Sequence, residues 1–154
     1  MRRQVRRADA SDANDISQVI IRALRETNAR DYAAEIIARL ERSFTPSAVE
    51  QQIKRRDVFV GLIDGRVVGT ASLEGQVIHT VFVSPDVQGR GVGRLLMQAV
   101  EATARERDIQ LLRLNSSISA ELFYARLGYA VVRDSFYGDE RTIVMERMLS
   151  SSVA

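Results

Sequence analysis

Gln88-Gly89-Arg90-Gly91-Val92-Gly93 is the stretch whose residue types and spacing speak most directly of chemistry. It follows the apolar, β-branched run Val77 to Val83 and a Pro85-Asp86 turn, and it opens an amphipathic segment from Val92 to Arg105. A glycine-rich turn thus carries a strand into a helix N-terminus. The first N–H groups of a helix have no internal partner, and the helix dipole places partial positive charge there, so backbone alone builds an anion site. Glycines at 89, 91 and 93 put no Cβ between those amides and a phosphate. On the strand before the turn stands His79, the only histidine, whose ordinary pKa near neutrality suits it to moving a proton.

The spacing narrows the phosphate ligand. A Walker-type loop ends in Gly-Lys-Ser/Thr, whereas Gly93 is followed by Arg94 and Leu95. A dinucleotide fingerprint needs G-x-G-x-x-G; counted from Gly89 its third glycine position holds Arg94, and from Gly91 it holds Leu96. The pattern that fits is Q/R-x-x-G-x-G/A, met by Gln88, Gly91 and Gly93. It resembles the acyl-CoA pyrophosphate loop of the GNAT superfamily of N-acetyltransferases. Downstream, Phe123-Tyr124-Ala125-Arg126-Leu127-Gly128-Tyr129 resembles the F-Y-x-x-x-G-[FY] segment of many members of that superfamily.

These residues must be positioned by the rest of the chain, and its pattern supplies the elements. Val5 begins a short strand. Ser11 to Asp15 supplies capping types before Ile16, Val19, Ile20, Ala23 and Leu24 recur at helical spacing. Residues 28 to 43 read as a second helix with Tyr32, Ile36, Ile37 and Leu40 on one side, and Thr45-Pro46 starts a third. Val58 to Ile63, Val67 to Leu73 and Val77 to Val83 read as an antiparallel meander turned by Asp64-Gly65 and Glu74-Gly75. The helix from Val92 puts Val92, Leu95, Leu96, Ala99 and Val100 on one face, with Arg90, Arg94, Gln98, Glu101 and Arg105 pointing elsewhere. A short strand, Leu111 to Leu114, precedes a helix from about Ile118 to Leu127, which Gly128 caps. Strands Tyr129 to Asp134 and Arg141 to Leu149 follow, and residues 150–154 read as a loose tail after a domain of residues 1–149.

The order β-αα(α)-βββ-α-β-α-ββ is similar to the GNAT fold across nearly the whole chain. The resemblance implies a single α/β domain whose central, mostly antiparallel mixed sheet splays to admit CoA. It implies acetyl-CoA as co-substrate, its pyrophosphate on residues Gln88, Gly89, Arg90, Gly91, Val92, Gly93 and Arg94, and its pantetheine arm against the backbone of Val81, Phe82 and Val83. Asn115 is expected to hydrogen-bond that arm or an ordered water, and Tyr124 to assist departure of the thiolate. A glutamate near the place of His79 serves as general base in several subfamilies, so this chain leaves His79, Glu74 at the preceding turn, or water as alternatives. Tyr32, Tyr137, Asp139 and Glu140 fall on elements that flank the acceptor pocket in that fold.

Composition bounds the rest. The 154 residues suit one core. No cysteine exists, so disulfides and thiolate metal sites are excluded, and one histidine offers no imidazole cluster, so no metal is expected. A net charge of +2 is too small to argue for nucleic acid. The basic N-terminus, Arg2, Arg3, Arg6 and Arg7, reads as a solvated strand edge, with no apolar region after it to make a secretory signal. No stretch is apolar and long enough for a bilayer. The cytoplasm is the expected compartment, and the resemblance implies an enzyme acting on a small-molecule or peptide amine, with a homodimer possible as in many members. The rival readings are a non-catalytic acyl-CoA-binding module and a nucleotide-phosphate binder using the same anion site.

Overall fold

The computed structural model describes residues 1–149, so the tail expected at 150–154 lies outside the described residues. Asp64 and Gly65 adopt φ of 49° and 82°, the left-handed pair that a two-residue hairpin needs. They join β2 (Asp57–Ile63) to β3 (Arg66–Glu74), and the turn at Gly75 joins β3 to β4 (Val77–Val83). With β1 (Arg3–Arg7), β5 (Leu111–Ser116), β6 (Ala130–Tyr137) and β7 (Glu140–Met148), these strands form one seven-stranded sheet in the order β1-β2-β3-β4-β5-β7-β6. Every pairing is antiparallel except β4 with β5.

Two apolar clusters cover the sheet. Helices α1 (Ala13–Glu26), α2 (Ala34–Arg42) and α3 (Pro46–Arg55) pack Ile16, Ile20, Leu24, Ile36, Ile37 and Val49 against Val58, Val60 and Leu62. Alternation along β2 sends Phe59 and Ile63 to the other cluster, where α4 (Val92–Glu106) buries Val92, Leu96, Met97 and Val100 on β3, β5 and β7. Gly61 and Gly69 lie opposite each other on β2 and β3. A Cβ at Gly61 would meet Val92 Cγ1 at 2.7 Å, and one at Gly69 would meet Leu96 Cδ1 at 3.0 Å. This glycine pair lets the first turns of α4 sit down on the sheet, which fixes where the glycine loop ends up.

Several expectations are corrected by the structure. Residues 28 to 43 are not one helix: a single tight turn at Asn28–Arg30 is followed by an extended Ala33, and α2 starts at Ala34. The break has a cause in side chains. Asp31 accepts from the Ser119 amide at 2.9 Å, and the Tyr32 hydroxyl donates to the Arg141 carbonyl at 2.7 Å, so both are drawn toward the opposite side of the molecule. The helix after β5 likewise divides into a turn at Ile118–Ala120 and α5 (Glu121–Arg126), and β5 continues past Asn115 to Ser116. Glu101, read as pointing away from the apolar face of its helix, is nonetheless buried, with 5% exposure.

The arginines of β1 are engaged as well as solvated. Arg6 pairs with Asp12 at 2.8 Å, and Arg7 pairs with Asp57 at 2.7 Å. Asp57 also accepts from Arg107 just past α4. Arg107 first, and then Arg7, hold the Asp57 carboxyl below its ordinary value against the opposing effect of burial. A depressed carboxylate stabilises the fold above its unfolded pKa and loses that contribution as pH falls through the folded value. Asp57→Asn should therefore lower Tm by a few degrees at pH 7. Thermal melts at stepped pH should show the gap to the parent closing below about pH 4, where the unfolded carboxylate also takes up its proton; a gap constant down to pH 2 would contradict this.

Candidate active site

Strands β4 and β5 run parallel but stay together for only two residue pairs, Val77 with Arg113 and Ile78 with Leu114. Beyond that they part. A bulge helps: Thr70 pairs with Phe82 and Ser72 with His79, so Thr80 and Val81 together oppose Ala71. Thr80 takes φ of 56°, a costly conformation for a β-branched residue and a sign that the surroundings force it. Extra residues of this kind re-aim the backbone, here at the edge of the gap.

A cavity of about 760 Å³ fills the gap at the C-terminal ends of the two strands. On one side lies the glycine loop, with Gln88, Gly89, Gly91, Val92, Gly93 and Arg94 in the wall. Gly91 is the N-cap of α4 with φ of 82°, and no side chain caps the helix, so the first-turn amides are left for another partner. Arg3 braces the loop from β1, donating from Nη1 to the Arg90 carbonyl at 3.0 Å. Its role was not readable from the basic N-terminal run.

The middle of the cavity is walled by Val81, Phe82 and Val83 on β4 and by Leu114, Asn115 and Tyr124 across the gap. Asn115 donates from Nδ2 to Thr142 Oγ1 at 3.2 Å. The Tyr124 ring is buried, yet its hydroxyl has no protein partner among the described residues and is not sealed from solvent. Burial pushes the Tyr124 phenol well above its ordinary pKa, so it keeps its proton.

The far side belongs to the β6–β7 hairpin and to the segment before α2. Tyr32, Tyr137 and Glu140 line it, with the hydroxyls of Ser117, Ser119 and Thr142. Burial first, and then Asp31 and Glu140, push the Tyr32 phenol up to about 12. Glu140 pairs with Arg39 of α2, whose guanidinium lies 4.9 Å above the Tyr137 ring. Among the described lining residues the charged ones are Arg94 at the loop and Glu140 at the hairpin, of opposite sign on opposite sides.

Four of the expected site residues stand outside this wall: His79, Glu74, Arg90 and Asp139. Glu74 is exposed at the end of β3, where it accepts from Arg56 at 2.8 Å; that bond holds its carboxyl below the usual range and makes it a weak base. His79 is half-buried, one residue before the bulge. Burial, and then Arg56, lower its pKa, so the ring is neutral at pH 7. Thr80, Ser117 and Ser119 enter the wall without a signal in the sequence, since hydroxyl residues on strands and turns are too common to single out.

A family profile described as Acetyltransferase (GNAT) domain matches residues 28–148 of this chain. The chain belongs to the GNAT superfamily of N-acetyltransferases. This acetyltransferase is 28% identical to the peptidyl-lysine N-acetyltransferase YjaB of Escherichia coli K12 over 139 residues, 88% of this chain and 87% of that one. In fold it matches a GCN5-related N-acetyltransferase from Rhodopseudomonas palustris with a TM-score of 0.90 at 24% identity, covering 97% of each chain. It also matches the PaiA N-acetyltransferase of Thermoplasma acidophilum, solved in complex with coenzyme A, with a TM-score of 0.84 at 18% identity over 97% of this chain and 100% of that one. Among the described residues of the acetyltransferase, no helix is long and apolar enough to cross a membrane.

Proposed function

We propose that this acetyltransferase moves the acetyl group of acetyl-CoA to a primary amine of a small molecule or peptide, by direct attack in a ternary complex in the cytoplasm. The observation that carries the reading is continuity: one cavity runs from the uncapped N-terminus of α4, through the gap between β4 and β5, to the carboxylate of Glu140. The pyrophosphate sits on the loop amides from Gln88 to Arg94, with Arg90 beside them at the rim. The pantetheine arm enters the gap and pairs with β4 backbone at Val81 to Val83, which the separation of β5 leaves open, while Asn115 meets it from the other strand.

The chemistry then balances as follows. The amine nitrogen forms a bond to the acetyl carbon, and the carbon–sulfur bond breaks. Backbone N–H groups of the bulged strand stabilise the developing oxyanion. Tyr124 donates its proton to the departing thiolate, and the proton lost by the amine leaves through water. Glu74 is too firmly paired to take it, and His79, neutral but set back from the wall, acts at most through that water. Tyr32 and Tyr137 wall the acceptor end, and Glu140 favours a cationic substrate.

A panel of amines, peptides with a free lysine or N-terminus among them, should show acetyl-CoA-dependent release of CoA thiol with at least one acceptor. YjaB acts on peptidyl lysine, so lysine peptides belong in the first round. A folded sample that binds acetyl-CoA and releases no CoA with any acceptor would instead be a binding module.

A further inference from the structure

Glu101 lies on α4 among apolar neighbours, almost fully buried, and the reaction above makes no use of it. Its Oε2 accepts from the Tyr129 hydroxyl at 2.8 Å and from Arg147 Nη1 of β7 at 2.8 Å. Desolvating a carboxylate is expensive, and a buried ionic cluster is on balance seldom more stabilising than an apolar replacement of similar volume. Stability alone is a poor reason for this arrangement.

Geometry suggests another. The Tyr124 hydroxyl has no protein partner among the described residues, so ring packing sets its position. Tyr129 meets that ring edge-on at 6.0 Å between centroids, and Phe123 meets it edge-on at 5.1 Å. The Tyr129 amide also donates to the Tyr124 carbonyl at 3.1 Å. Both ring neighbours are tied to α4: Phe123 packs so closely on Gly93 that a Cβ there would meet its Cζ at 3.1 Å, and Tyr129 is held by Glu101. One helix therefore carries the anion loop at its start and the anchors of Tyr124 along its length.

We infer that Tyr129, fixed by its hydrogen bond to Glu101, is a positioning residue that holds the Tyr124 hydroxyl at the distance from the pyrophosphate loop that proton delivery to the thiolate requires. This rests on the role of Tyr124 proposed above. A misplacement of about 1 Å can cost an enzyme up to about a hundredfold without touching the reacting groups.

The test is a double-mutant cycle in kcat with Tyr124→Phe and Tyr129→Phe. Tyr129→Phe alone should lower kcat about tenfold with acetyl-CoA Kd within about twofold. In the Tyr124→Phe background it should cost nothing further, because there is no proton left to place. Glu101→Gln, which keeps an oxygen for the Tyr129 hydroxyl, should retain kcat within about twofold. Equal losses in both backgrounds, or parent kcat in Tyr129→Phe, would make the cluster a structural staple and overturn the inference. Parent kcat in Tyr124→Phe alone would overturn the underlying role as well, and that single variant distinguishes the two failures. If Tyr129→Phe does not fold, Glu101→Leu removes the same bond and runs the same cycle.

Discussion

Tyr124→Phe should lower kcat about a hundredfold and leave acetyl-CoA affinity within about twofold, in the range that a positioned general acid contributes. The substitution keeps the ring, and with it the contacts to Phe123 and Tyr129. It removes a hydroxyl that satisfies no protein group, so Tm should stay within about a degree of the parent, as for changes that break no buried network. Loss would then fall on the transition state alone, since the proton is needed only as the thiolate leaves. The pH profile gives a second reading. Burial raises the phenol above its ordinary value near 10, so it stays protonated across the working range, and kcat should show no alkaline fall below about pH 10 from this group. Steady-state kinetics with calorimetric binding would check both; a Kd that rises in step with the rate loss would make Tyr124 a binding contact instead.

The second large effect is at the loop. Gly91→Ala should weaken acetyl-CoA binding about tenfold or more, because a Cβ at a left-handed φ costs roughly 1–2 kcal/mol and tenfold corresponds to 1.4 kcal/mol. Here φ is 82°, and the new Cβ would lie 2.5 Å from Arg3 Nη1. Arg3 must then yield and release the Arg90 carbonyl that it braces. Gly89 offers the contrast: its φ is 81°, but nothing lies within 4 Å of a Cβ there, so Gly89→Ala carries the backbone strain alone and should cost less. Equal Kd for Gly91→Ala and the parent would mean that this loop does not hold the cofactor in its present shape.

The loop itself was legible because backbone geometry follows from glycine spacing and from the change of hydrophobic period between β4 and α4. The meander was legible for the same reason, with turn residues at 64–65 and 74–75 flanking alternating strands. Glu101 was not. A helical wheel assigns a glutamate to the solvent side, and only the arrival of Tyr129 and Arg147 from elements more than twenty residues downstream makes its burial tolerable. Gly61 and Gly69 carried no signal either, since their meaning is the approach of α4 across the sheet. His79 and Glu74 show a third limit. Their places on the strand and turn are as read, but Ile78 rather than His79 lines the cavity ahead of the bulge at Thr80 and Val81, and Arg56, just past the end of α3, claims Glu74. Which strand side chains reach a site depends on such irregularities, and they leave no pattern in one sequence.

The central claim is that the gap between β4 and β5 and the amides at the start of α4 receive acetyl-CoA. Calorimetric titration of acetyl-CoA into the purified protein, with ATP and NAD as controls, tests it most directly. Saturable, one-to-one binding of acetyl-CoA, with ATP and NAD weaker by at least about tenfold, is the predicted result. A folded sample that takes up no acetyl-CoA, or that binds ATP or NAD more tightly, would contradict it.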